Sequence, residues 1–294
     1  MNTNIKGVGV ALVTPFDDKG AIDYDALARL VGHVSDGGVD YLVTLGTTAE
    51  TPTLSLEERN GIIECIRRNN RRKLPMVVGV GCNCTEHVIN DLQRIDLQDA
   101  VAVLSVTPYY NRPSQRGLYE HYKTVAAASP LPVLVYNVPS RTGVNIAADT
   151  TLHLAREVKN ICGIKEACGS VNQMAYLLKG RPEGFMVISG DDGMTLPLLS
   201  LGGDGVISVL SNAFPAPFTQ MVAAFLRGDV ATAAALQMRL LEVTDALFEE
   251  GNPVGVKTAL AVLGLTGDTV RLPLVSGSEA LATKFRRLTA ENKL

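Results

Sequence analysis

Apolar side chains in this chain come in short continuous runs rather than in strict alternation with polar ones. The runs fall at residues 8–13, 41–45, 76–80, 101–106, 133–136, 161–164, 185–188 and 206–210. Each is rich in β-branched residues and is followed by a segment whose apolar positions repeat at helical spacing. A strand that is apolar at successive positions is covered on both faces, as parallel strands are. Eight strand–helix repeats predict an α/β protein, either a closed (β/α)8 barrel or an open doubly wound sheet. Periodicity alone leaves both open.

Helix starts agree with this register. Ser55-Leu56-Glu57-Glu58 has the form of a capping box, and Asp23 and Ser114 are suited to cap the helices that follow them. After the eighth run, helical spacing continues at residues 217–227, 230–248, 254–263 and 278–288. The expected organisation is a barrel over residues 1–225 and a small helical region over residues 226–294.

Composition narrows the partners. The 294 residues carry a formal net charge of −3 and are 46% hydrophobic, an ordinary globular balance that gives no reason to expect nucleic acid as a partner. Arg67-Arg68-Asn69-Asn70-Arg71-Arg72-Lys73 reads as a helix C-terminus, where cations complement the helix dipole. No run is long enough to span a bilayer, and the first six residues hold no signal-peptide core, so a cytoplasmic location is expected. Five scattered cysteines suit free thiols, with Cys162 and Cys168 packed as small hydrophobes in or beside a strand. His33, His87, His121 and His153 are isolated, so a metal site is not expected.

In a barrel, chemistry sits at the C-terminal ends of the strands. Those ends carry Gly46-Thr47-Thr48-Ala49-Glu50, Thr107-Pro108-Tyr109-Tyr110, Tyr136-Asn137, Lys165-Glu166, Gly190-Asp191 and Ile207-Ser208. Of the ten lysines, Lys165 is the one that lies directly on an apolar strand. A desolvated neutral amine there can attack a carbonyl, although a neighbouring carboxylate such as Glu166 could equally neutralise it. Tyr136 can relay protons or serve as an ordinary barrel-mouth aromatic. Paired Tyr109-Tyr110 suits an interface, Arg141 could fork onto a carboxylate, and the backbone N–H groups and hydroxyls around Thr47-Thr48 could hold a small anion.

Gly46-Thr47-Thr48-x-Glu50, Thr107-Pro108-Tyr109-Tyr110-Asn111-Arg112-Pro113, the segment from Tyr136 to Gly143, and Gly163-Ile164-Lys165-Glu166-Ala167 together resemble the dihydrodipicolinate synthase family along essentially the whole chain. The resemblance implies the closed barrel and a Schiff-base lyase of the diaminopimelate route to lysine, without a cofactor. By it, Lys165 forms an imine with pyruvate, and Thr47 and Thr48 hold the pyruvate carboxylate. Thr47 also links Tyr136 to Tyr110, the latter supplied by a neighbouring subunit of a homotetramer. Arg141 binds the carboxylate of aspartate semialdehyde, and Gly190 and Ile207 line the lysine's pocket. Thr51, Pro52, Asn83 and Tyr109 correspond to an allosteric lysine site.

Three departures from the family pattern stand out. Ala49 replaces a glycine, Gly255 replaces a proline after Asn252-Pro253, and Leu56, Arg59 and His87 replace two histidines and a glutamate of the lysine site. Loss of that carboxylate predicts weak or absent inhibition by lysine. The alternatives are another pyruvate-dependent aldolase, such as N-acetylneuraminate lyase, and a catalytically silent barrel.

Overall fold

The structure of the chain is a computed structural model that describes residues 5–294. Met1 to Asn4, part of the N-terminal stretch read above as lacking a signal-peptide core, lie outside the described residues. Those residues contain eight strands, β1 (Gly7–Ala11), β2 (Tyr41–Thr44), β3 (Met76–Gly79), β4 (Ala100–Val106), β5 (Val133–Asn137), β6 (Ile161–Glu166), β7 (Met186–Ser189) and β8 (Gly205–Ser208). They close into a barrel in chain order, and the registered pairs β1–β2 and β3 through β8 are all parallel. The open-sheet alternative is thereby excluded.

The helices are α1 (Tyr24–Asp36), α2 (Leu56–Asn69), α3 (Thr85–Arg94), α4 (Gln115–Ala128), the single turn α5 (Pro139–Thr142), α6 (Ala148–Glu157), α7 (Val171–Gly180), α8 (Thr195–Ser200), α9 (Pro215–Leu226), α10 (Val230–Glu249), α11 (Val254–Val262) and α12 (Glu279–Asn292). Among the described residues, no helix is long and apolar enough to cross a membrane. The chain falls into two compact units. One comprises Pro75–Ile207 with Ile5 and Lys6, and the other joins Gly7–Leu74 to Ser208–Leu294.

Local chemistry explains where the elements begin and end. Asp23 caps α1 by accepting from Ala26 N–H, and Ser114 caps α4 by accepting from Gly117 N–H. Both halves of the Ser55–Glu58 capping box form at α2. In α1, Ala26, Leu27, Leu30, Val31 and Val34 are buried, the stripe expected of a helix laid on a sheet. Arg67 and Arg68 occupy the last turn of α2 and pair with Glu64.

The eighth run stops as a strand at Ser208 instead of continuing to residue 210. Ser208 Oγ accepts from Ser211 N–H and Asn212 Nδ2 donates to Val209 C=O, so side chains bend the backbone into a 3-10 turn, Leu210–Asn212.

The C-terminal helices account for one departure from the family pattern. Gly255 opens α11 against the end of α10, where a Cβ would stand 2.2 Å from Leu247 O and 2.6 Å from Leu247 C. Backbone cannot yield as a flexible side chain can, so a side chain at 255 must push the two helices apart. Gly255→Ala is therefore expected to lower unfolding stability by about 1–3 kcal/mol. Urea unfolding followed by circular dichroism checks this, and an unchanged midpoint would reject the close approach.

Candidate active site

In the unit holding β3 to β7, β5 and β6 run side by side with Tyr136 registered against Lys165 and Asn137 against Glu166. Registered partners on parallel strands point to the same face and neighbours along a strand to opposite faces. Lys165 and Tyr136 therefore share one face, and Asn137 and Glu166 share the other. Lys165 Nζ lies 4.3 Å from the centroid of the Tyr136 ring, and the two residues are 5% and 6% exposed. Gly190 gives the lysine its room, since a Cβ there would stand 2.9 Å from Lys165 Cε.

Glu166 does not neutralise Lys165. It is fully buried on the opposite face, where Oε1 accepts from Asn137 Nδ2 at 2.9 Å and Cys168 N–H at 2.8 Å. Its Oε2 accepts from Gln173 Nε2 at 2.8 Å. Among the described residues, no carboxylate forms an ion pair with Lys165. The thiols nearby are poor rivals as nucleophiles. Burial pushes Cys162 up to about 12, and burial followed by the Glu166 carboxylate does the same to Cys168, so both stay protonated at neutral pH.

Asn137 also secures the loop that follows β5. Its Oδ1 accepts from Ile146 N–H and its Nδ2 donates to Asn145 Oδ1. Between those anchors lies α5, which carries Arg141 on an exposed position and ends at Gly143 with φ 71°. Ile207 is buried in β8. Tyr110 stands on the loop after β4, 90% exposed and with φ 72°, a left-handed conformation uncommon for a bulky side chain. On the same loop, Asn111 Nδ2 donates to Asn83 C=O.

In the second unit, Thr47 to Ala49 form a 3-10 turn after β2. Thr48 is buried and Thr47 half-buried. Left-handed φ values flank the turn at Leu45 (54°) and Glu50 (55°), and Ala49 avoids that region. The alanine that replaces the family's glycine is thus accommodated without strain. Thr14 Oγ1 donates to Ala49 C=O at 2.8 Å and Thr51 Oγ1 to Gly46 C=O at 2.9 Å. Pro52 is exposed beside Thr51.

A second lysine is buried in the molecule, with no strand pattern to mark it. Lys257 is completely buried in α11, with Nζ donating to Glu50 Oε1 at 2.5 Å and to Thr269 C=O at 2.8 Å. Burial pushes its ammonium from 10.5 down to about 8, against the opposing pull of Glu50. Two cations lie over the Phe16 ring, Lys257 Nζ at 4.1 Å and the Arg271 guanidinium at 4.4 Å from its centroid. Arg271 N–H donates to Glu50 Oε2, and its guanidinium pairs with Glu58. The available signal was the one that marked Lys165, a single charge in an apolar stretch, here Val254-Gly255-Val256-Lys257-Thr258-Ala259-Leu260.

A profile of the dihydrodipicolinate synthetase family matches residues 4–292. The chain belongs to this family. It is 50% identical to the 4-hydroxy-tetrahydrodipicolinate synthase of Parabacteroides distasonis, over 97% of this chain and 96% of the relative. It is 49% identical to that of Phocaeicola vulgatus, over 100% of this chain and 99% of the relative. A solved monomeric dihydrodipicolinate synthase variant superposes with a TM-score of 0.95 at 40% identity, covering 98% of this chain and 97% of that one. The dihydrodipicolinate synthase of Thermotoga maritima gives 0.95 at 39% identity, covering 98% of each chain.

Proposed function

We propose that the chain is a 4-hydroxy-tetrahydrodipicolinate synthase that condenses pyruvate with L-aspartate 4-semialdehyde through a Schiff base on Lys165. The observation that carries this reading is Lys165 itself, a buried amine set over the Tyr136 ring with its neighbouring carboxylate turned away, in a chain of this family. Lys165 Nζ attacks the pyruvate carbonyl, and Tyr136 relays protons as the carbinolamine loses water to give the imine. A proton then leaves the methyl carbon, and the enamine attacks the aldehyde. The amine of the second substrate displaces Lys165 from the imine carbon and closes the ring.

Thr47 and Thr48 hold the pyruvate carboxylate, Thr47 connects Tyr136 to Tyr110, and Arg141 takes the carboxylate of the semialdehyde. Gly190 and Ile207 border the lysine. Tyr110 serves a neighbouring subunit of a homotetramer, a role supported by its exposure and its strained backbone. The enzyme works in the cytoplasm on the diaminopimelate route to lysine. The test mixes purified protein with both substrates and NADPH-dependent dihydrodipicolinate reductase. NADPH consumption supports the assignment, and none from folded protein rejects it.

Lysine at Thr51, Pro52, Asn83 and Tyr109 is held weakly or not at all, because His87 stands where a carboxylate would pair with the effector's ammonium. That missing charge-assisted bond is worth roughly 1.5–3 kcal/mol. Titrating lysine into the coupled assay is expected to leave the rate nearly unchanged, and strong inhibition below one millimolar (an order-of-magnitude threshold set by that loss) would reject the prediction.

A further inference from the structure

The helical C-terminal segment reaches the Thr47–Ala49 turn through Asn252, whose Nδ2 donates to Thr48 Oγ1 at 3.1 Å. Both side chains are buried, Asn252 8% and Thr48 2% exposed. A hydroxyl has one hydrogen to give. When its oxygen accepts from an amide, that hydrogen is left to point away from the amide. A hydroxyl meant to hold a carboxylate must donate to it, because an oxygen lone pair facing the carboxylate would repel it.

We propose that Asn252 is a positioning residue for pyruvate, acting through Thr48 by setting the direction in which the Thr48 hydroxyl donates. The inference rests on the reading of Thr48 as a ligand of the pyruvate carboxylate. Three further contacts keep the turn in place for this task. Thr14 holds Ala49 C=O, and the buried Lys257 and the Arg271 backbone N–H hold both oxygens of Glu50. The turn's backbone is thus fixed independently of Asn252, which leaves to the amide the polarity of one hydroxyl.

Two substitutions separate polarity from packing. Asn252→Asp keeps the shape but replaces a donor by acceptors, so Thr48 O–H turns to the carboxylate and away from pyruvate. Asn252→Ala removes more packing yet leaves the hydroxyl free to donate to pyruvate. Asn252→Asp is expected to raise the pyruvate KM about 10- to 100-fold, and Asn252→Ala less than about 5-fold, both with the semialdehyde KM near its parent value. A purely structural role gives the reverse order, with alanine the worse.

Thr48→Val completes a cycle that removes direct charge repulsion as an explanation. With valine at 48, Asn252→Asp is expected to add little. If the full penalty of Asn252→Asp persists there, or if the aspartate and alanine variants raise the pyruvate KM equally, the inference fails while the Thr48 reading stands. If Thr48→Val leaves the pyruvate KM unchanged, the Thr48 reading fails and takes the inference with it. Should Asn252→Asp not fold, Asn252→Ala decides, since equal rises in both substrates' KM would overturn the proposal.

Discussion

Lys165→Ala is expected to abolish the adduct that borohydride traps between the enzyme and pyruvate, and to lower turnover by roughly 10⁴- to 10⁶-fold, the scale seen when a covalent nucleophile is removed. The expectation follows from geometry and from the competing groups. Lys165 is 5% exposed at a strand end beside a phenol and the space left by Gly190. Lys257 is buried completely and bound to Glu50 and Thr269, so substrate cannot reach it. Cys162 and Cys168 remain thiols at neutral pH. Mass spectrometry after borohydride reduction should find one pyruvate-derived adduct, on Lys165, in the parent protein. The same adduct should form in Glu50→Gln/Lys257→Met. Trapping that survives Lys165→Ala would overturn the assignment of the nucleophile.

Lys257→Met is expected to cost about 1–3 kcal/mol of stability, because the buried Glu50 carboxylate loses the Nζ donor at 2.5 Å that the amine supplies whether or not it is charged. Arg271 N–H still donates to Glu50, but one backbone donor replaces little of an ammonium. Glu50→Gln/Lys257→Met removes both charges and is expected to recover most of the loss. Urea unfolding of the parent, the single and the double variant reads this directly. A single variant as stable as the parent would show that the pair is solvated instead of buried.

The pH dependence has a definite sign. Burial lowers the Lys257 pKa to about 8 from 10.5. Below pH 8 the lysine is protonated both folded and unfolded, and the cost of burying the charge is present in full. Between about 8 and 10.5 the unfolded chain binds the proton and the folded chain has released it, so this group adds stability as pH rises. The parent should therefore gain on the double variant across that window, and parallel stability curves would contradict the lowered pKa.

The short-range physics of the chain was legible in its sequence. Continuous apolar runs became strands because burial on both faces acts residue by residue, and Asp23, Ser55 and Ser114 capped helices because a cap needs only its next turn. Lys165 stood out because a charge on a buried strand is costly wherever the rest of the fold lies. The motifs around Thr47, Tyr110, Tyr136 and Arg141 named the family, and with it the reaction.

What tertiary structure decided was direction and distant pairing. Glu166 follows Lys165 in sequence, yet strand alternation sends it to the other face, into Asn137 and Gln173. Lys257 read as one more helix lysine until the fold brought it to Glu50, 207 positions away. The space denied to a side chain at Gly255 is set by Leu247 on another helix. A pattern along the chain reports how far each residue is driven from water, whereas the partner a buried polar group meets depends on where the whole chain has brought other residues.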